Sequence, residues 1–136
     1  MEIKTKQFYL PPQETPKLTL VLDLDETLVH FISREKKFKL RPGCIQFLKD
    51  MSQLFEVVIF TADAQDYADF ILNYIDKDNS FIHHRLYRQH CILEEGVYVK
   101  DLSLLGRDLS KTIIIDNIRD NFERQPRNGI EILTWL

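Results

Sequence analysis

Three short runs of this chain are apolar on both alternating faces: "LTLVLDL" at 18–24, "EVVIFTA" at 56–62 and "KTIIIDN" at 111–117. A strand with one wet face alternates apolar and polar residues, so these runs read as strands covered on both sides. Between the first two lies "RPGCIQFLKDMSQLF", where Ile45, Leu48, Met51 and Phe55 recur at spacings of three and four. That spacing makes one apolar helical stripe, with Pro42 near the first helical position. After the second run, Tyr67, Phe70, Ile71 and Tyr74 share a helical face, with Asp63 as the N-cap. "HCILEEGVYVKDL" reads as a hairpin turning at Gly96, and "IEIL" as a fourth strand. Buried strands alternating with amphipathic helices predict an α/β fold with a parallel sheet. Residues 1–17, interrupted by Pro11, Pro12 and Pro16, read as an extended N-terminal strap. That leaves 18–136 as a single domain with one core.

In parallel α/β sheets the site lies outside the carboxyl ends of the strands. Here those ends carry Asp23-x-Asp25, Thr61 and Asp116-Asn117. Asp23 and Asp25 leave an extended backbone on the same side. So many acids in one place need a compensating charge, and oxygen donors of this kind suit Mg²⁺. Turn-forming or capping roles are the plainer explanation for one such acid, but acids at two strand ends with Thr61 at a third favour a site. Such a site takes an anionic substrate, and Lys100 in "YVKDL" is the candidate cation for phosphate. Thr61 offers a hydroxyl, and the helix after it offers backbone N–H groups.

Together these parts imply phosphoryl transfer through an aspartate. Asp23 is the candidate nucleophile and Asp25 the acid and base, while Thr61 and Lys100 stabilise the phosphoryl oxygens. Other phosphate chemistries lack their residues. A cysteine phosphatase needs Arg six residues after Cys, where Cys44 meets Asp50 and Cys91 meets Val97. Neither a G-x-x-x-x-G-K-[ST] loop nor a G-x-S-x-G elbow occurs.

A net charge of −3 gives no global basic field for nucleic acid. No apolar run approaches the roughly 20 residues of a membrane-spanning helix, and the first residues lack the apolar segment of a secretory signal. Two cysteines are too few for a disulfide framework, so the expected setting is intracellular, nuclear or cytoplasmic. "HHRLYRQHC" gathers His83, His84, His90 and Cys91. These are zinc donors in type, but their spacing fits no usual paired pattern. The other reading is a solvated connection, with Arg85 and Arg88 available to touch phosphate or substrate.

"DLDETLVH" matches the D-x-D-x-T signature of haloacid-dehalogenase-like phosphatases. With "YLPP", "RPGCIQFL", "VIFTA", "YRQHC", "YVKDLSLLGRDLSK", "IIIDN" and "NGIEILTW", the chain more narrowly resembles the group that dephosphorylates the C-terminal domain of RNA polymerase II. That group includes small C-terminal-domain phosphatases and Dullard-like phosphatases. The resemblance implies a three-layer α/β/α sandwich around a mainly parallel sheet, with a short flap in place of a large cap. It implies a Mg²⁺-dependent enzyme acting on phosphoserine or phosphothreonine in a protein or peptide. Thr27 completes the first motif, and Tyr67 and Arg88 fall at substrate-facing positions. The implied metal set is Asp23, Asp25 (through its backbone carbonyl), Asn117 as a direct ligand and Asp116 beside it.

Three features depart from the group's pattern. Ile118-Arg119 stand where relatives often have Ser-Pro, and only "FISREKKFKL" bridges the first motif and "RP". Relatives also continue past the tryptophan into a C-terminal helix, so the chain reads as a fragment or a shortened homologue. The brief bridge argues against the polymerase tail as substrate and leaves a small-metabolite phosphatase as one alternative. The other is a noncatalytic binding module like the related mitochondrial translocase subunit, whose first motif is degraded; Asp23, Asp25 and Lys100 are intact here.

Overall fold

The computed structural model describes residues 7–136. The chain runs through β1 (Leu18–Leu22), β2 (Val29–Ile32), β3 (Lys37–Leu40), α1 (Cys44–Leu54), β4 (Phe55–Phe60) and α2 (Gln65–Ile75). It continues through β5 (His84–Leu86), β6 (Ile92–Glu94), β7 (Val97–Val99), β8 (Thr112–Asp116) and β9 (Gly129–Glu131). The apolar runs are β1, β4 and β8, the centre of a five-stranded sheet of order β5-β4-β1-β8-β9. Every pairing in it is parallel, so each strand returns through a crossover and all carboxyl ends open on one edge.

Alternation along the strands divides the core between two faces. Leu20, Leu22, Val57 and Ile59 lie beneath Leu48 of α1 and Ala68, Ile71 and Leu72 of α2. On the other face Val21, Val58, Phe60 and Ile114 meet Leu102, Leu105 and Phe122, which short 3₁₀ turns bring over the sheet. The segment before β1 belongs to this second layer: the Tyr9 and Leu10 N–H groups donate to the Leu104 and Leu105 carbonyls at 2.9 and 3.1 Å. Leu10 is buried there. Residues 1–6 of the expected strap lie outside the described residues. Among the described residues, no helix is long and apolar enough to cross a membrane.

Several local expectations change. Gly43, at φ 83°, is the N-cap of α1, and Pro42 falls in the preceding turn. Ala64 rather than Asp63 precedes α2 as its N-cap, because the Asp63 carboxylate turns back to the Thr61 hydroxyl at 3.1 Å. The buried stripe of α2 is Ala68, Ile71, Leu72 and Ile75, while Phe70 and Tyr74 remain 63% and 71% exposed. They serve instead as a seat for Phe38 of the β2–β3 hairpin, with ring centroids 6.0 and 5.3 Å away. That hairpin is the flap.

The histidine-rich stretch contains an edge strand, β5. Its side chains fasten backbone: His83 Nδ1 accepts the Val57 N–H and His90 Nδ1 accepts the Tyr87 N–H, each at 2.9 Å. His84 pairs with Glu56. Arg85 is held by Asp69, Asn73, Asn79 and the Asp76 carbonyl, so it is a clamp between α2 and β5 rather than a substrate contact.

Candidate active site

The sheet's register fixes the centre of the site. The Asp23 N–H still donates to the Ile115 carbonyl at 3.0 Å, extending β1 along β8 for one residue. The chain then turns tightly: the Leu28 and Val29 N–H groups both return to the Leu24 carbonyl, at 2.9 and 3.2 Å. Glu26 adopts φ 64° in that turn, a left-handed conformation unfavourable for a residue with a Cβ. Its carboxylate is fastened to His30 Nδ1 at 2.8 Å, and its carbonyl accepts the Trp135 N–H at 2.8 Å.

Lys100 follows β7 directly, and its ammonium is 0% exposed. It donates to Asp23 Oδ1 at 2.8 Å and to Asp116 Oδ2 at 2.6 Å. Burial disfavours its charge, but the two carboxylates more than offset this and raise its pKa. Burial, aided by Asp116, raises the pKa of Asp23, while Lys100 and the Thr27 hydroxyl pull it down. Thr27 Oγ1 donates to Asp23 Oδ2 at 2.9 Å and also lies 3.4 Å from Asn117 Oδ1.

Asp116 has donors on both oxygens. Oδ1 accepts the Ile118 N–H at 3.0 Å, and the Asn121 amide lies 3.4 and 3.3 Å from Oδ1 and Oδ2. A fully buried carboxylate ringed this way holds Lys100 in place and presents no open lone pair to a metal. Of the expected metal group, Asp116 is thus the member whose oxygens are bonded to Lys100, the Ile118 N–H and Asn121. Among the described residues no three His, Cys, Asp or Glu side chains converge as a ligand set. The set implied by the resemblance, the Asp23 carboxylate, Asn117 Oδ1 and the Asp25 backbone carbonyl, is made of hard oxygen donors of the kind that could hold Mg²⁺ together with waters.

Asp25 occupies a different environment two residues on. Tyr67 Oη donates to its Oδ1 at 3.2 Å. Burial, the adjacent Asp63 carboxyl and the charge on Asp23 together push its pKa up to about 8. One aspartate is thus ion-paired with a lysine while its neighbour is pushed toward its protonated form, a division of labour suited to a nucleophile and an acid.

Thr61, at the end of β4, is buried, and its hydroxyl exchanges hydrogen bonds with the backbone and side chain of Asp63 at 3.1 Å. Arg88 braces this loop: its Nε donates to the Ala62 carbonyl at 2.7 Å, its N–H donates to the Asp63 carbonyl at 3.0 Å, and its guanidinium lies 5.2 Å from the Tyr98 ring centre. Among the described residues, the N–H groups of Leu24, Asp25 and Ala62 find no protein acceptor. Leu24 is buried and Asp25 and Ala62 are half-buried, so these N–H groups are candidate donors for the oxygens of a bound anion.

The structure therefore brings Asp23, Thr27, Lys100, Asp116 and Asn117 into one hydrogen-bonded group. Asp25 and Tyr67 stand beside it, and Thr61 and Arg88 belong to the adjoining loop. Asp63 and Asn121 are additions to the expected set. Asp63 carries a sequence signal, since an acid two residues after a strand-end threonine can bond it. Asn121 carries none, because only the turn after β8 brings it back to Asp116.

Comparison with known proteins gives one consistent picture. The family profile described as "NLI interacting factor-like phosphatase" matches residues 18–136. A relative from Dictyostelium discoideum, CTD small phosphatase-like protein 2, is 46% identical over 147 residues, covering 93% of this chain and 26% of the relative. Mitochondrial import inner membrane translocase subunit TIM50 of Kluyveromyces lactis is 40% identical over 121 residues, covering 87% of this chain and 25% of that protein. The chain thus spans about a quarter of the length of these two relatives. The solved structure of Fcp1, an essential RNA polymerase II CTD phosphatase, shares the fold. Its TM-score is 0.73 at 23% identity, covering 88% of this chain and 42% of that one.

Proposed function

Because the chain belongs to the NLI interacting factor-like phosphatase family, we propose that it is a Mg²⁺-dependent protein serine/threonine phosphatase working through an aspartyl-phosphate on Asp23. The observation that carries this reading is the buried Lys100 ammonium, held between Asp23 and Asp116, with Tyr67 donating to Asp25 two residues on, where burial and Asp63 raise the carboxyl's pKa. A structural ion pair does not call for the second, differently tuned aspartate; a two-step phosphoryl transfer does.

In the first step an Asp23 carboxylate oxygen attacks phosphorus, and the bond from phosphorus to the seryl or threonyl oxygen breaks. Asp25 gives its proton to that leaving oxygen. In the second step the Asp25 carboxylate takes a proton from water as the water oxygen attacks phosphorus. The acyl-phosphate bond breaks, releasing phosphate and restoring Asp23. Lys100, the Thr61 hydroxyl and the N–H groups of Leu24, Asp25 and Ala62 are the donors for the phosphoryl oxygens. Asp116 and Asn121 keep Lys100 in position. Asp23, Asn117 and the Asp25 carbonyl would hold Mg²⁺, which when bound offsets charge on the phosphoryl oxygens. Tyr67 and Arg88 border the entrance, Tyr67 by steadying Asp25 and Arg88 by bracing the loop after Thr61.

The flap leans on α2 and is built from two four-residue strands, which supports a side chain on a protein surface as substrate. Two free cysteines fit an intracellular setting. The test is a panel of phosphopeptides, the polymerase tail repeat among them, and phosphometabolites, assayed with EDTA or Mg²⁺. Mg²⁺-dependent hydrolysis of phosphopeptides that disappears in folded Asp23→Asn supports the reading. Preference for phosphometabolites assigns the small-molecule alternative, and no turnover with any substrate assigns a binding module.

A further inference from the structure

The β2–β3 flap has two chemically different faces. Its register pairs Val29 with Leu40 and Phe31 with Phe38, and these side chains pack toward α2. Phe31 meets the Tyr67 ring at 5.1 Å, and Phe38 rests on Phe70 and Tyr74. The alternate pairs, His30 with Lys39 and Ile32 with Lys37, project to the opposite face. The turn between the strands adds Arg34 and Lys36. Glu35 is the sole acid from 33 to 41. Among the described residues, none of Arg34, Lys36, Lys37 and Lys39 has a carboxylate within ion-pair distance, and Lys39 Nζ lies 5.7 Å from the Trp135 ring centre. A chain of net charge −3 therefore concentrates on one small surface cations that no described carboxylate pairs.

That surface begins at the rim of the catalytic mouth. His30, opposite Lys39, is bonded to Glu26, the residue after Asp25. Trp135, beneath Lys39, donates its N–H to the Glu26 carbonyl. Arg41, at the base of β3, donates to the Thr27 and Leu133 carbonyls at 3.2 Å each. From there the basic face extends along a four-residue strand, a span of about 13 Å or four residues of an extended peptide.

We propose that this face docks the acidic flank of the substrate polypeptide: carboxylates or additional phosphates a few residues from the phosphorylated side chain. The inference rests on the phosphatase reading above and specifies its substrate class. An anionic bilayer would also meet lysines, but the apolar side chains beside them, Ile32 and Trp135, are both partly buried, which makes weak anchors for insertion. A peptide needs no insertion and reaches the mouth and the face together.

Two phosphopeptides of equal length test this. Each carries one phosphoserine, flanked by Asp and Glu in one and by Asn and Gln in the other. Turnover is measured with the native chain and with the variant Lys36→Gln/Lys37→Gln/Lys39→Gln, at low and high salt, with an aryl phosphate as flank-free control. The native chain should favour the acidic peptide about tenfold in kcat/KM at low salt, mainly through KM. The preference should fall to about twofold or less at high salt and in the triple variant, with aryl phosphate turnover unchanged. Normal aryl phosphate turnover without acidic preference, or with a preference that survives in the triple variant, overturns the inference and leaves the phosphatase reading standing. If nothing is hydrolysed, the phosphatase reading fails. Fluorescence anisotropy of the labelled acidic peptide then still decides the docking face, which requires weaker binding by the triple variant. Co-sedimentation with phosphatidylserine vesicles that needs the three lysines, in a chain indifferent to peptide flanks, overturns the inference in favour of a membrane.

Discussion

Replacing Lys100 with methionine removes the ion-pair partner that Asp23 and Asp116 share among the described residues and leaves the two carboxylates facing each other. The ammonium is fully buried at 2.8 Å from Asp23 and 2.6 Å from Asp116. Methionine roughly fills the lysine stem, so the dominant effect is electrostatic. Breaking a buried pair by removing one partner costs about 3–5 kcal/mol. A domain of this size has a total stability of about 5–15 kcal/mol, so the melting temperature should fall by about 10–20 °C. The cost comes from the stranded charges and not from lost packing. The double variant Lys100→Met/Asp116→Asn, which removes one of them, should therefore recover at least about half of the loss. Activity should not recover, because the phosphoryl oxygens still lack their cation. Urea unfolding followed by far-UV circular dichroism, in EDTA so that no divalent ion substitutes for the lysine, gives the stabilities. A Lys100→Met variant within about 1 kcal/mol of the native chain, or a double variant no more stable than the single one, refutes the reasoning.

Asn117→Ala should raise the Mg²⁺ concentration needed for half-maximal activity by about tenfold, with little change in turnover at saturating Mg²⁺; an unchanged Mg²⁺ titration removes Asn117 from the proposed donors. At Asp101, burial pushes the carboxyl upward, but hydrogen bonds from Ser103, Gln125 and Arg124 outweigh it and hold the pKa at about 2, below the ordinary 3.8. Its stabilising contribution is complete above the unfolded value and fades as pH falls toward the folded one, so the stability gap between the native chain and Asp101→Asn, on the order of 1 kcal/mol, should narrow between about pH 5 and pH 2. A gap that is constant or widens on acidification contradicts this.

The centre of the fold is legible because β1 and β4 are covered on both faces along most of their length and β8, though Ile113 stays exposed, carries an equally apolar run. β5 escapes the sequence pattern because His84 and Arg85 are polar; pairing with β4 makes it a strand, and Asp69 and Asn73 of α2 hold Arg85. Phe70 and Tyr74 mislead for the opposite reason. Their helical spacing matches a core face, but their partner is the flap rather than the sheet. The second covering layer rests on isolated leucines in short 3₁₀ turns, too brief to show a period. In the site, the strand-end rule places Asp23, Asp25, Thr61 and Asp116 together from sequence alone. It does not tell which acid faces a metal and which holds a lysine. That depends on Lys100 reaching Asp116 from β7 and on Asn121 turning back, contacts that no spacing rule encodes.

The most direct test of the account is the covalent state of Asp23 during turnover. Asp25→Asn removes the group that takes the proton from water and should let the phosphorylated enzyme accumulate with an aryl phosphate, whose leaving group needs little protonation. After rapid quenching and proteolysis, mass spectrometry should find one phosphoryl group on the peptide containing Asp23, and at Asp23 within it. It should be absent when Asp23→Asn is added. Turnover by the native chain with no phosphoryl group ever found at Asp23, or with one found on another residue, contradicts the account.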